Sequence, residues 1–229
     1  MTKIAVISDI HSNLDAFKVV LKEIRQLGIN DIYCCGDIVG YGAEPNECVE
    51  LVRKNEIISV KGNHDISCVN LQDKELFNQF GRVAIEWSSK KLTEENKQFL
   101  FNLPKHLKLK KIYLVHGSPI NPIWEYVLPD ASKSYLKRLI KETKQDIDVL
   151  IMGHTHIPFI KEIKDKLIIN PGAVGQPRDN NPKASFCILD AKTKKTEIKR
   201  VEYNIKKTAE KIKKAGLPEF LAERLFKGI

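Results

Sequence analysis

Short apolar runs recur along the first two thirds of the chain and predict buried strands. The segments 4–7, 32–35, 57–60, 112–115 and 149–152 are almost wholly apolar, which is typical of strands that are covered on both faces. Between the first three runs the pattern predicts two amphipathic helices, one over 14–27 capped by Asn13 and one over 45–54 that begins at Pro45. This alternation predicts βαβ units in which helices cross from strand to strand.

After residue 65 the hydrophobic pattern changes. Helices are predicted near 74–80 and 83–91 and after Thr93, whose hydroxyl suits a helix cap. The second half is rich in predicted strands, which lie at 159–163, 167–170, 184–189 and 196–203, followed by a helix at 204–215 and a last helical turn after Pro218. We therefore predict a single domain over 1–229, with a helical insertion at about 66–105 and a basic helical tail at about 204–229.

The composition suits a globular protein of a reducing compartment. Among 229 residues, 42% are hydrophobic and 29% are charged, which is ordinary for a soluble domain. Five cysteines without a CxxC pair argue against a disulfide framework or a zinc ribbon. The adjacent Cys34 and Cys35 are expected to pack in the core on opposite faces of a strand. Without a signal-peptide core or a long apolar run, we expect a cytoplasmic protein with no membrane partner.

Most of the net positive charge lies in the C-terminal part of the chain. The formal net charge is +9, and residues 191–229 hold twelve Lys or Arg against five Glu, so seven of the nine net charges lie there. This basic stripe stops short of the histidine motifs described next, and it is typical of a solvated edge strand and a C-terminal helix. Nucleic acid is therefore not an expected partner. No heptad pattern predicts an oligomeric state.

Histidine is concentrated in short motifs with acidic and glycine neighbours. Five of the six histidines lie in them, and only His106 lies outside. The motifs are Asp9-Ile10-His11, Gly36-Asp37, Gly62-Asn63-His64-Asp65, His116-Gly117 and Gly153-His154-Thr155-His156. Each motif follows a predicted strand, and the carboxyl ends of strands in an open α/β sheet meet in one crevice. A single Asp after a strand is usually a turn or cap residue, but the whole set predicts a two-metal hydrolase.

This ordered motif set resembles that of the calcineurin-like metallophosphoesterases. The stretches 9–13, 36–42 and 170–178 are similar to the small bacterial and archaeal branch, whose members are often described as phosphodiesterases or as diadenosine-tetraphosphatase-like. The resemblance spans about residues 4–190, and the chain's ending also looks like that branch. It implies an α/β fold, a four-layer αββα sandwich of two mixed β-sheets flanked by helices.

The resemblance also implies a ligand set for two divalent ions. One ion would be bound by Asp9, His11, Asp37 and His156, and the other by Asp37, Asn63, His116 and His154, so that Asp37 bridges them. A hydroxide between the ions would attack phosphorus in line. Imidazole and carboxylate ligands without thiolate suit manganese, which we predict, and also iron, zinc, nickel or cobalt.

Five further residues have candidate roles, each with an alternative or a supporting part. His64 suits a proton donor to the leaving oxygen or a contact to the phosphoryl group, with Asp65 orienting it, although His64 could instead be a structural residue at a turn. Arg178 is a candidate clamp for the substrate's phosphate because its planar fork matches phosphate oxygens, although exposed loop arginines are common. Trp124 and Tyr126 could stack on a nucleobase or simply pack their loop against the body of the protein.

The function predicted from these residues is hydrolysis of phosphodiester or nucleotide anhydride bonds, with a phosphate-ester or nucleotide small molecule as substrate. A phosphomonoesterase of the same fold is one alternative. A second is a non-catalytic protein-binding scaffold, as the retromer subunit similar to this family is thought to be. Loss of the motif histidine would favour the scaffold, whereas this chain has His64. A nuclease would instead show salt-sensitive binding that depends on the tail lysines.

Overall fold

Two five-stranded sheets form the centre of the molecule. The computed structural model describes residues 3–229. Its strands are β1 Lys3–Ile7, β2 Ile32–Cys34, β3 Ile58–Ser59, β4 His106–Leu109, β5 Ile112–Val115, β6 Val149–Ile151, β7 Phe159–Ile163, β8 Lys166–Asn170, β9 Ala184–Asp190 and β10 Thr196–Val201. Its α-helices are α1 Leu14–Gln26, α2 Pro45–Lys54, α3 Asn63–Asn70, α4 Gln79–Lys91, α5 Glu94–Asn102, α6 Lys133–Glu142, α7 Ile205–Lys214 and α8 Glu219–Lys227.

Both sheets are mixed, with parallel strands at the positions that carry the histidine motifs. The first sheet has the order β10-β9-β1-β2-β3, and the second has the order β4-β5-β6-β8-β7. In the first, β1, β2 and β3 are parallel, and in the second, β5, β6 and β8 are parallel. The carboxyl ends of β1, β2 and β3 therefore lie at one edge of the first sheet, and those of β5 and β6 at one edge of the second.

Alternation along the strands produces the layers. In β1, Val6 faces the hydrophobic cluster between the sheets, where it joins Leu114 and Ile151. Its neighbour Ile7 faces the cluster that α1 and α2 cover, and α6 covers the far side of the second sheet through Leu136. The predicted αββα sandwich of two mixed sheets is confirmed. Because side chains alternate with a period of two, an unbroken apolar run serves both layers.

The cysteine and cap predictions are confirmed. Cys34 lies in the helix-covered cluster and Cys35 in the cluster between the sheets, so the two face opposite sides. The side chain of Asn13 accepts a hydrogen bond from the Ala16 amide at the start of α1. Thr93 caps α5 in the same way. Each cap satisfies an amide that the first helical turn leaves without a partner.

Several elements differ from the sequence prediction. The segment predicted as a helix over 74–80 is a short 3-10 helix at Lys74–Leu76, and α4, predicted over 83–91, begins earlier, at Gln79. Three elements were not predicted: α3, α6 and β4. The polar motif that opens α3 hides its helical pattern, and β4 is a half-exposed edge strand in which His106 and Lys108 alternate with leucines. Strand β10 ends at Val201, before the predicted end at residue 203.

The two C-terminal helices pack back onto the sandwich instead of extending into solvent. Leu221 and Leu225 of α8 form a cluster with Tyr41 and with Ala84 of α4. The indole of Trp87 donates a hydrogen bond to the Ala215 carbonyl at 3.0 Å. Within residues 3–229, no helix is both long and apolar enough to cross a membrane.

Candidate active site

The strand ends bring all seven predicted metal-ligating residues together. They follow β1, β2, β3, β5 and β6, and each is less than 5% exposed: Asp9, His11, Asp37, Asn63, His116, His154 and His156. Residues separated by up to 147 positions thus face one another at the crevice between the two sheets. Burying so many polar groups in one place is costly unless they are paired or bind an ion.

Asp37 lies between two groups of ligands. Its Oδ2 atom is 3.6 Å from His11 Nε2 and 3.4 Å from His116 Nε2. In the first group, His156 Nε2 lies 3.3 Å from Asp9 Oδ1. One carboxylate therefore faces both groups.

The second group is equally compact. His116 Nε2 lies 2.9 Å from Asn63 Oδ1 and 3.0 Å from His154 Nδ1. Ligand atoms of Asp37, His116 and His154 all lie within 4.8 Å of one another. The two groups together contain the seven predicted ligand residues, and Asp37 lies next to both.

Backbone carbonyls fix the orientation of the four histidine rings. The ring-to-carbonyl pairs are His11 Nδ1 with Val39 at 3.1 Å, His116 Nδ1 with Cys35 at 2.8 Å, His156 Nδ1 with Gln176 at 2.5 Å and His154 Nε2 with Trp124 at 3.3 Å. A carbonyl only accepts, so in each neutral ring the outer nitrogen carries the proton. The inner nitrogen then presents its lone pair to the centre, as a metal-binding histidine does.

The inner atoms fit a cation. Nε2 of His11 and Nε2 of His156 are 3.1 Å apart, and both carry lone pairs, so no proton lies between them. The buried Oδ1 of Asp9 has no hydrogen-bond partner. Facing lone pairs and an unpaired carboxylate oxygen repel one another unless a positive ion lies among them. The residues present therefore fit divalent metals.

Burial changes the pKa of every acid and base in this centre. Desolvation raises the pKa of Asp9 to about 7 and raises that of Asp37 well above its usual value, with the negative charges of Asp65 and Asp9 adding to the effect. Desolvation also lowers the pKa of His116 to about 4 and that of His154 to about 2. Low histidine pKa values favour the neutral rings that metals require.

The backbone at the ligands is strained. Five of the seven lie in the left-handed region, with φ between +49° and +68°: Asp9, His11, Asp37, His154 and His156. This conformation costs roughly 1 to 2 kcal/mol for a residue with a side chain. Such strain is found where the surrounding structure imposes it, often at functional sites.

Asp65 holds the loops of the motifs together rather than orienting His64. Its carboxylate accepts hydrogen bonds from four main-chain amides, those of Asp37 and Gly62 at 2.9 Å, Ile38 at 2.8 Å and Val39 at 3.2 Å. These bonds engage both carboxylate oxygens, and none goes to the His64 ring. The suggestion that Asp65 orients His64 is therefore wrong, and its role is to fix the position of Asp37.

His64 lies beside the ligands but keeps a free ring nitrogen. The ring is 3% exposed, and its buried Nδ1 has no hydrogen-bond partner. A His64 nitrogen lies within 4.8 Å of ligand atoms of His11 and Asp37. The ring packs edge-on against Phe77 and tilted against Tyr41, with centroids 4.7 and 4.4 Å apart. Packing against aromatic rings fixes the orientation of His64, whereas hydrogen bonds to backbone carbonyls fix the other four histidines of the motifs.

A cleft opens over the centre and contains Arg178. The guanidinium of Arg178 donates to the Gln176 side chain at 2.9 Å and lies 5.7 Å from the Tyr41 ring centroid. Trp124 packs against Phe77, and the ring of Tyr126 stacks on His154 with centroids 3.9 Å apart. The structure thus uses both aromatic residues for packing at the rim of the cleft.

The sequence prediction missed a charged residue of the cleft. Arg224 of α8 lines the cleft together with His64 and Arg178. The expectation that the basic tail stops short of the motifs is wrong, because α8 turns back over Tyr41. No local signal distinguishes Arg224 from the other basic residues of the tail.

Comparison with known proteins agrees with this geometry. The model of the calcineurin-like phosphoesterase superfamily domain matches residues 2–194. An uncharacterized protein of Methanocaldococcus jannaschii is 46% identical over 245 residues, which cover 98% of each chain. The phosphodiesterase YfcE of Escherichia coli is 26% identical over 200 residues, covering 83% of this chain and 88% of that protein.

Solved structures show the same architecture. A metallophosphoesterase from Sphaerobacter thermophilus has a TM-score of 0.86 at 37% identity, and covers 100% of this chain and 99% of its own. A hypothetical protein from Pyrococcus horikoshii has a TM-score of 0.91 at 26% identity, with the same coverage. The chain belongs to the calcineurin-like phosphoesterase superfamily, and this membership supports metal-dependent hydrolysis of phosphoric esters.

Proposed function

We propose that this protein is a dinuclear metal-dependent phosphoesterase that hydrolyses phosphodiester or nucleotide anhydride bonds. The observation that carries the proposal is the position of Asp37, whose Oδ2 atom faces His11 on one side and His116 on the other. A carboxylate shared by two ligand groups is the arrangement that a two-metal site requires.

The ligands of the two ions follow from the two groups. One ion would be held by Asp9, His11, Asp37 and His156, and the other by Asp37, Asn63, His116 and His154. Two such ions would supply a nucleophilic water and neutralise the phosphoryl oxygens. With nitrogen and oxygen donors and no thiolate, Mn²⁺ is the ion that we propose, and Fe, Zn, Ni and Co share the same donor preference.

The protein's own residues act on the substrate around this centre. His64 lines the cleft beside the ligands and is the proposed proton donor to the leaving oxygen. Arg178 binds the phosphoryl oxygens through its fork. Asp65 keeps Asp37 in place by its bonds to the main chain.

The size of the cleft limits what it can enclose. Its volume is about 160 Å³, whereas pockets that enclose a whole ligand have roughly 300 to 1,000 Å³. The cleft therefore suits a phosphoryl group and its immediate neighbours, with the rest of a small phosphate ester or nucleotide directed towards solvent.

The test is hydrolysis by metal-stripped protein reloaded with Mn²⁺, Zn²⁺, Ni²⁺ or Mg²⁺. Bis-p-nitrophenyl phosphate and p-nitrophenyl phosphate serve as the diester and the monoester. We expect metal-dependent turnover that is faster on the diester, and Asp37→Ala is expected to lower kcat by roughly 1,000-fold or more, because it removes charge from the reacting centre. Asp31→Ala, an exposed position at the other end of β2, is the matched control.

The ratio of the two rates separates the candidate activities. Faster monoester turnover would replace the diesterase with a phosphomonoesterase. Two bound ions without turnover of either ester would contradict the proposal and favour a protein-binding scaffold. Full activity with one bound ion would contradict the dinuclear mechanism alone.

A further inference from the structure

Arg224 reaches the cleft from a part of the chain that the superfamily model does not match. The matched residues end at 194, whereas α8 lies beyond them and places Arg224 in the cleft with Arg178 and His64. Nothing in the superfamily's motif set assigns a role to this residue. Its position is therefore a property of this chain and of relatives that share its tail.

Two arginines flank one tyrosine in this cleft. The guanidinium carbons of Arg178 and Arg224 lie 5.7 and 5.9 Å from the Tyr41 ring centroid. Within residues 3–229, neither arginine forms an ion pair with an Asp or Glu side chain. Burial, and after it the positive charge of Arg178, lower the pKa of Arg224 to about 10. The cleft therefore holds two guanidinium cations, which repel each other and favour the binding of an anion.

One nitrogen of the Arg224 guanidinium is hydrogen-bonded, whereas the two terminal nitrogens are available to a ligand. Its Nε donates to the main-chain oxygen of Ile229 at 2.6 Å, and its guanidinium lies 5.2 Å from the Phe220 ring centroid. Among the described residues, its two Nη atoms find no acceptor. A guanidinium that is held at Nε and has both Nη groups available is suited to binding phosphate oxygens.

The two arginines lie at different depths. The main-chain amide of Arg178 donates to the carbonyl of the ligand residue His156 at 3.3 Å. Arg224 instead contacts Tyr41, Phe220 and Ile229, none of which is a ligand. The order from the ligand centre outwards is therefore Arg178 and then Arg224.

Resting on the phosphoesterase function proposed above, we propose that Arg224 binds a second anionic group of the substrate, next to the phosphoryl group that Arg178 holds. A second positive charge at this position suits neighbouring phosphates joined by an anhydride, as in nucleoside diphosphates or dinucleoside polyphosphates. The same charge does not improve binding of a phosphodiester whose two substituents are uncharged. Of the two bond types in the proposed function, this role favours nucleotide anhydrides over phosphodiesters.

The test measures binding without turnover. Isothermal titration of the metal-loaded protein with methylenediphosphonate, a non-hydrolysable pair of phosphoryl groups, is compared with titration by inorganic phosphate. Arg224→Gln is expected to raise the Kd of the diphosphonate roughly 10-fold to 100-fold, the range for one lost charge-assisted hydrogen bond. The Kd of phosphate is expected to change much less, so the ratio of the two constants moves.

Two further variants keep the result interpretable. Lys227→Gln removes the same charge from an exposed position of the same helix, and is expected to leave both constants unchanged. Arg224→Lys keeps the charge and the aliphatic stem but lacks the fork, so it is expected to give an intermediate loss for the diphosphonate. It supplies the same comparison if Arg224→Gln does not fold.

Failure of this inference is separable from failure of the proposed function. An equal rise in both constants, or no change in either, in a folded Arg224 variant would overturn the second-phosphate role while turnover of the model esters stands. Conversely, absence of ester turnover together with an Arg224-dependent ratio would contradict the phosphoesterase and leave the anion site in place.

Discussion

The loops after the parallel strands and the C-terminal helices border the same cleft but are encoded differently. In the loops, residue type and position coincide, because Asp37 and its partners each follow an apolar run that ends at the crevice. In the tail, Arg224 is one of many basic residues, and only the packing of α8 onto Tyr41 directs it to the cleft. Catalytic chemistry can therefore be predicted from local motifs, whereas the outer wall of the site cannot.

The forces that hold the two regions also differ. The loops are fixed by main-chain hydrogen bonds to Asp65 and by backbones that approach closely, since a Cβ on Gly62 would lie 2.0 Å from Asp37 Oδ1. The tail is fixed by apolar packing and by ion pairs, such as those of Lys211 with Asp15 and Glu44. Substitutions in the loops should therefore affect chemistry first, and those in the tail stability first.

The largest effect is expected in the loops, from His64→Asn. Removing the proposed proton donor should lower kcat on bis-p-nitrophenyl phosphate by roughly 100-fold to 10,000-fold, while metal content by elemental analysis stays at the wild-type value. His106→Asn, the histidine outside the motifs and exposed on β4, is the control and should retain full activity. Loss of a bound ion in His64→Asn would show instead that His64 is a ligand.

A pair of glycine substitutions compares the two regions directly. Gly62→Ala forces its Cβ against Asp37, so we expect a loss of about 1 to 3 kcal/mol in the free energy of unfolding, as for other overpacked sites, together with loss of metal and activity. Gly216→Ala in the tail meets no atom within 4 Å and is strained only by its φ of +72°. We expect it to cost about 1 kcal/mol and to keep both ions. Urea unfolding and metal analysis of both variants provide the measurement. Equal metal loss in the two variants would contradict the expected difference between the loops and the tail.

The smallest effect is expected from the tail's ion pairs. Lys211 binds Asp15 and Glu44 with its side chain 28% exposed, so Lys211→Met should lower the free energy of unfolding by about 1 kcal/mol or less, and less still in high salt. Lys206→Met, exposed on the same helix, is the control and should leave stability unchanged. A loss that persists unchanged at high salt would show that packing of the lysine stem is responsible.

The contribution of the Lys211 ion pairs to stability depends on pH through Asp15. Desolvation acts to raise the pKa of Asp15, but hydrogen bonds from Lys211 and Lys207 outweigh it and lower the pKa overall. A lowered folded-state pKa adds stability above the unfolded value of about 4, and this stability is lost as pH falls through the folded pKa. The difference between wild type and Lys211→Met should therefore disappear in acid, which urea unfolding at several pH values can show.

Local signals explain which elements could be predicted. Asn13 and Thr93 act as caps because a side chain next to the first turn is enough to satisfy its amides. Helix α3 escaped prediction because its first residues are the polar motif itself, so helical and chemical signals overlap at Asn63. Strand β4 pairs with β5 at an edge, and its half-buried leucines alternate with the exposed His106 and Lys108, so it has no continuous apolar run. An element whose residues are polar or only half buried gives the weakest signal in the sequence.

The sequence by itself determined most of the strands, the order of the ligand motifs and, through them, the superfamily and the expectation that Asp37 is shared, because apolar runs and metal ligands are local properties of neighbouring residues. Only the tertiary structure decided that Asp65 binds the main chain instead of His64, and that Arg224 borders the cleft. Each of these depends on where a loop or helix from another part of the chain comes to lie. Such contacts depend on packing between layers, and no pattern of neighbouring residues predicts them.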